Sequence, residues 1–154
     1  MRRKDREITS SSELNEIFRE ADVCRIALID GNVPYIVAMN FGYSEQDNSI
    51  YFHSAKEGRK LDLISKNNNA CFQIDTAHEL LESDIACNFS MNYKSIVGTG
   101  IISIVEDEQE RKRGLNVIME HYTGKDNFVF DDEILNMTCI LKLEIEEMTG
   151  KKKG

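Results

Sequence analysis

The sequence predicts an α+β, mainly β fold: one antiparallel barrel or meander with peripheral helices. Three observations lead there. Six or so strand-like runs follow one another mostly in hairpin order. Helical periodicity comes singly between them, not after every strand as a βαβ layout requires. A chain of 154 residues with one proline, no low-complexity linker and no internal repeat suits a single domain over residues 1–154.

Each element has its own local signal. Ser10 and Glu13 stand at capping-box spacing. Leu14, Ile17, Phe18 and Ala21 then fall on one helical face, so a first helix should end near Ala21. Residues 23–29 are apolar and β-branched apart from Arg25, and Asp30-Gly31 is a hairpin-turn dipeptide. Residues 33–41 read as one returning strand, with Pro34 confined to its start. After a polar turn over 44–49, residues 50–53 form a third strand, 57–66 a helix and 70–74 a fourth strand. Residues 76–87 carry no regular pattern. Residues 93–105 are a long strand broken by Gly98 and Gly100, a spacing that signals a bulge or a close approach by ligand or backbone. In 107–122, Leu115, Ile118, Met119 and Tyr122 share a helical face, and Gly124 lies just past the end. Residues 139–145 alternate, with Leu141, Leu143 and Ile145 on one side of a half-buried strand.

Composition excludes several function classes. The net charge of −8 argues against broad nucleic-acid binding, which needs a basic face. No apolar run approaches the roughly 18 to 20 residues of a membrane span. The basic start Met1-Arg2-Arg3-Lys4-Asp5-Arg6 has no apolar segment after it and does not read as a signal peptide, so the expected location is cytoplasmic. The cysteines at 24, 71, 87 and 139 have no CxxC spacing, three of them lie in apolar strand-like runs, and they read as buried thiols rather than a zinc site or disulfide framework. His53, His78 and His121 form no HExxH or HxH pattern, so no metal is expected. GxGxxG and GxxxxGK[ST] are both absent.

The chemically informative segment is Tyr51-Phe52-His53-Ser54-Ala55-Lys56-Glu57-Gly58-Arg59-Lys60. A strand gives way here to a helix. The Ser54 hydroxyl, the helix N-terminal amides and the cations Lys56, Arg59 and Lys60 collect in one place. A phosphate dianion needs that convergence. A solvated helix start would use the same residues. His53 at the strand end fits a packed or capping role, and also a catalytic one.

Residues 34–43, Pro34-Tyr35-Ile36-Val37-Ala38-Met39-Asn40-Phe41-Gly42-Tyr43, are followed by Ile50-Tyr51-Phe52-His53-Ser54-Ala55-x-x-Gly58-Arg59-Lys60. Together they resemble the nitroimidazole-resistance branch of the pyridoxamine-phosphate-oxidase-like flavoproteins. Tyr93-Lys94-Ser95-Ile96-Val97-Gly98-Thr99-Gly100, Gly114-Leu115-Asn116-x-x-Met119 and Glu120-His121-Tyr122-Thr123-Gly124 extend the resemblance along nearly the whole chain in order. It implies an FMN-binding split β-barrel that forms a homodimer, with flavin in a cleft between subunits. By resemblance, Ser54, Ala55, Gly58, Arg59 and Lys60 surround the phosphate. The ring lies along Val37, Ala38, Met39, Asn40 and Phe41. Ser95, Ile96 and Val97 close the site from the partner, and His53 stands beside the flavin as the catalytic candidate. The wider family carries an arginine in the strand matching 34–39, and this chain has none. The resemblance therefore does not extend to pyridoxamine phosphate oxidation.

Three functions are compatible with these residues. The first is an FMN oxidoreductase passing electrons from NAD(P)H to a small acceptor such as a nitroaromatic. The second is a non-enzymatic module of the same fold that holds flavin or heme. The third is a non-flavin barrel whose Gly58-Arg59-Lys60 cluster is only a surface.

Overall fold

A computed structural model describes residues 3–154; Met1 and Arg2, part of the basic start, lie outside the described residues. The chain forms twelve elements besides two short 3₁₀ turns. They are β1 (Glu7–Ile8), α1 (Ser11–Glu20), β2 (Cys24–Asp30), β3 (Val33–Met39), β4 (Phe41–Ser44) and β5 (Ser49–Ala55), then α2 (Arg59–Lys66), β6 (Asn69–Leu81), β7 (Ser90–Ile104), α3 (Glu108–Thr123), α4 (Asp132–Met137) and β8 (Thr138–Lys153).

The strands make one antiparallel sheet in the order β3-β2-β6-β7-β8-β5-β4, with β1 added on β8. The two ends of that order, β3 and β4, are separated in the chain by Asn40 alone. A sheet whose edges meet in sequence must curl on itself, so the result is a barrel with a seam where β3 and β4 part. Its interior is filled by Ile26, Leu28, Phe41, Ile50, Phe52, Phe72, Ile74, Ile96, Ile102, Leu141 and Leu143, all buried.

Helices cover what the barrel leaves open. In α1, Ser10 Oγ accepts from the Glu13 amide as the cap spacing predicts, and Ile17 and Phe18 are buried. The Phe18 ring stacks on Tyr43 at 3.9 Å. On the outside of the barrel, α3 covers Tyr51 and Ile140 with Ile118. It sits so close that a Cβ at Gly42 would strike the Val117 backbone.

Several elements differ from the sequence expectation. Residues 33–41 are not one strand: pairing changes from β2 to β5 across Asn40. The hairpin turn is Gly31-Asn32, one residue later than expected, with Gly31 at φ +61° as the first position of a II′ turn requires. The region 76–87 begins as strand, because β6 continues past a bulge between Thr76 and Glu79. Gly98 and Gly100 serve backbone approach rather than a ligand. A Cβ at Gly98 would strike the Phe72 ring and Glu147, and one at Gly100 would strike Glu144. The pairing of β7 with β8 also shifts register between Thr99 and Gly100. β8 runs to Lys153 rather than stopping at 145, and α4 lies where the sequence predicts no element. Cys24 and Cys139 are buried thiols as expected, but Cys71 is only part-buried and Cys87, in the turn before β7, is exposed.

A half-buried ion cluster ties the β4–β5 turn to α3 and β8. Arg113 grips Asp47 with both Nη atoms at 3.1 Å, and Lys142 Nζ stands 3.0 Å from Asp47 and 3.2 Å from Glu110. Tyr51 Oη lies 2.8 Å from Asp47 and 2.5 Å from Glu110. Burial opposes ionisation of Asp47, but hydrogen bonds from Arg113, Ser44, Lys142 and Tyr51 outweigh it and hold the carboxyl far below its ordinary range. Glu110 is lowered chiefly by Tyr51. Both carboxylates therefore stabilise the fold above the unfolded carboxylate range, near pH 4, and lose that contribution as pH falls through their lower folded values. Asp47→Asn should cost about 2 kcal/mol at pH 7 in urea denaturation, since it unbalances a half-buried charge cluster. The gap to the parent protein should narrow below about pH 4. A gap that is constant with pH would show that Asp47 acts by packing alone.

Candidate functional site

The seam has two walls of backbone. On one side, β3 pairs only with β2, so half of its N–H and C=O groups point away from β2 into the opening. On the other side, β5 pairs with β8 throughout, but β4 covers it only as far as Phe52. His53, Ser54 and Ala55 thus present an unpaired edge. Asn40 is the apex where the walls meet. Its position is fixed from α3: Tyr122 Oη accepts from the Phe41 amide at 3.1 Å and donates to the Asp22 carbonyl at 2.7 Å.

At the open end stands the first turn of α2. Gly58 has φ +131°, a conformation that disfavours any side chain, and a Cβ there would meet nothing within 4 Å. Its first amides have no side-chain cap. This is an open backbone cradle with the positive end of a helix behind it. Lys56 and Lys60 flank this turn in the chain, and Ser54 before it pairs with Cys139 on β8. Burial dominates there and pushes the Cys139 thiol up. Arg59 reaches across the opening to Asp30 at 2.6 Å.

Most of the expected residues converge on this seam. Val37, Ala38, Met39 and Asn40 line one wall; His53, Ser54, Ala55, Gly58, Arg59 and Lys60 line the other wall and its end. Their side chains point different ways. Met39, Phe41 and Ser54 are buried, and Ser54 Oγ donates to the Ala55 carbonyl at 2.8 Å. Ligand contacts from Met39 and Phe41 can then come only from backbone, and the Phe41 amide is already taken by Tyr122. Asn40 and His53 are exposed. Of the other histidines, His121 Nε2 is bonded to the Ala21 carbonyl and His78 stands 3.0 Å from Asp75. Burial lowers the His121 pKa.

Ser95, Ile96 and Val97 do not join the seam within one chain. They lie on β7, with β2 and β6 between them and β3. Ile96 is fully buried in the core, whereas Val97 is exposed on the outer face. Sequence reasoning missed Asp30, Tyr35 and Tyr122. Tyr35 and Tyr122 sit inside segments that carried the resemblance, but Asp30 had no local signal beyond its place in a turn.

The chemistry of the opening suits a planar polar ring with a phosphate tail. Strand edges offer alternating donors and acceptors, and the α2 corner offers amides and cations. A separate groove of about 690 Å³ runs between α1, the β4–β5 turn and α3, lined by Phe18, Arg19, Tyr43, Arg113, Glu120 and His121 among others. It is bounded by none of the seam residues.

Comparison with known proteins agrees with this architecture. The family described as pyridoxamine 5'-phosphate oxidase matches residues 10–152. A candidate 5-nitroimidazole antibiotic resistance protein of Bacteroides thetaiotaomicron is 34% identical, with TM-score 0.83 over 95% of this chain and 86% of that one. The FAD and heme binding protein of Mycobacterium smegmatis is 18% identical, with TM-score 0.81 over 97% and 74%. A FAD-binding protein of Mesorhizobium loti is 20% identical, with TM-score 0.69 over 97% and 98%. At those two identities the likeness is one of fold. No curated protein matches the sequence at a significant level. The chain, a split barrel matched over residues 10–152, belongs to the pyridoxamine 5'-phosphate oxidase family.

Proposed function

We propose that the protein is a homodimeric FMN oxidoreductase that passes electrons from NAD(P)H to a small acceptor of the nitroaromatic or nitroimidazole kind. The observation that carries this reading is the seam itself, two unpaired strand edges diverging from Asn40 toward the Gly58-Arg59-Lys60 corner. Flavin, when bound, supplies the redox chemistry. The chain binds and orients it. The β3 edge from Val37 to Asn40 meets the polar rim of the ring, and the α2 amides with Arg59 and Lys60 hold the phosphate. FMN rather than FAD suits one terminal phosphate corner and the absence of a GxGxxG turn. His53 lies exposed on the unpaired edge of the same opening and is the candidate to pass a proton to an acceptor. A cytoplasmic setting fits this donor and the four free cysteines.

The second copy belongs to the reading because one chain leaves the site open. The outer face of β3-β2-β6-β7 exposes Ile29 47%, Ile36 64% and Val97 46%, with the hydrogen-bonded cluster of Arg25, Gln73 and Asp75 between them. Beyond the bulge in β6, the paired residues Leu80 and Met91 are also exposed on the β6–β7 hairpin. Such a face, apolar with a polar cluster inside it, suits contact with a second copy of the chain. Ser95 and Val97 lie on it, where a partner could bring them to the neighbouring seam.

The alternative is a non-enzymatic module of the same fold. It draws on the Mycobacterium smegmatis relative, described as binding FAD and heme. His53, exposed and without a bonded partner among the described residues, would be the heme ligand in that case.

Three measurements test the proposal. Arg59→Ala and Lys60→Ala should each weaken FMN by roughly 10- to 100-fold in fluorescence titration, as charge-assisted bonds of about 1.5–3 kcal/mol imply. Riboflavin should be little affected; equal losses would remove the phosphate assignment. Ile36→Glu should convert a sedimenting dimer to monomer with loss of flavin, whereas a monomeric parent that keeps flavin would contradict the shared site. With flavin content first matched, His53→Gln should lower nitro-compound reduction while leaving reduction by NADH intact. Unchanged turnover would make His53 structural and favour the binding-module reading.

A further inference from the structure

Arg59 is held from two sides. Its Nε and Nη2 donate to Asp30 Oδ2 at 3.1 and 2.6 Å, and its guanidinium carbon stands 4.7 Å from the centre of the Tyr35 ring. Asp30 ends β2 and Tyr35 lies on β3, so both belong to the hairpin on one side of the seam. Arg59 opens α2 on the other side. The three residues therefore bridge the open end, opposite Asn40.

The bridge contributes little to folding. Its side chains are 60% and 38% exposed, and ion pairs in water are worth close to nothing. Its consequence is geometric. A guanidinium has five N–H donors in a rigid plane. Asp30 uses two of them, along the Nε–Nη2 edge. Three remain, two of them side by side on the Nη1–Nη2 edge, where they can fork onto two oxygens of a phosphate. The carboxylate fixes the rotation of the group, and the tyrosine face fixes its plane.

We infer that Asp30 and Tyr35 are positioning residues: they aim the free edge of Arg59 at a terminal phosphate without touching the ligand. The inference rests on the α2 corner being the phosphate site. Asp30 also brings a negative charge toward that corner, and Arg59 itself compensates it at 2.6 Å. The gain is preorganisation: an exposed arginine left free would lose its rotamer freedom at the moment of binding.

The test is titration of FMN and riboflavin into the parent protein, Asp30→Ala, Tyr35→Leu, Tyr35→Phe, Arg59→Ala and the Asp30→Ala/Arg59→Ala double variant. Thermal melting should confirm that each is folded. Asp30→Ala and Tyr35→Leu should weaken FMN by about fivefold to tenfold, the size of one lost orientational constraint, and leave riboflavin within about twofold. Tyr35→Phe keeps the ring face and should bind as the parent does. The double variant should match Arg59→Ala alone, because Asp30 acts only through Arg59. If Arg59→Ala is selective for FMN but Asp30→Ala binds FMN as tightly as the parent or more so, the positioning role is overturned. A full additional loss in the double variant overturns it too. If Arg59→Ala weakens both ligands equally, it is the phosphate reading that fails.

Discussion

Backbone N–H and C=O groups at a sheet edge must be paired, covered or put to use. That constraint organises this protein. The chain passes from one end of an eight-strand sheet to the other in a single residue, Asn40, so the barrel closes covalently without closing its ladder. Two edges are left facing each other, β3 on one side and residues 53–55 of β5 on the other. A flat ring with donors and acceptors on its rim is the kind of ligand that completes such a seam.

The rest of the structure holds that opening in shape. At the apex, the Tyr122 hydroxyl bonds both the Phe41 amide and the Asp22 carbonyl, which fixes β4 to the end of α3 and to the loop before β2. Further along α3, the Arg113–Asp47 pair secures the β4–β5 turn. These contacts are half-buried and serve folding. The Arg59–Asp30 pair at the other end is exposed. The two ion pairs therefore belong to different problems: one fixes the frame of the seam, and the other orients a group that points into it.

The sequence made local features legible and long-range ones obscure. The C-terminal end of α3 and the cap of α1 were readable, because Gly124 and Ser10 satisfy helix ends within a turn of themselves. The split at Asn40 was not, because the run from Val33 to Phe41 is continuously apolar apart from Pro34 and Asn40, and only the pairing partner changes. The far half of β8 was hidden for a similar reason. Glu147 and Lys151 to Lys153 look like a solvated tail, yet they pair with β7 and β1 on a partly exposed face. At the site, the Ser54 to Lys60 cluster stood out by charge in an acidic chain. Asp30 did not, because it meets Arg59 across 29 residues and a seam that only the fold creates.

The central claim is that this seam holds a flavin mononucleotide. The most direct measurement offers the purified protein equal amounts of FMN, FAD and riboflavin in excess, removes what is free, and identifies by chromatography what heat releases. The account expects FMN, at one molecule per chain. Retention of FAD in preference to FMN, or of no flavin at all by a folded protein, would contradict it.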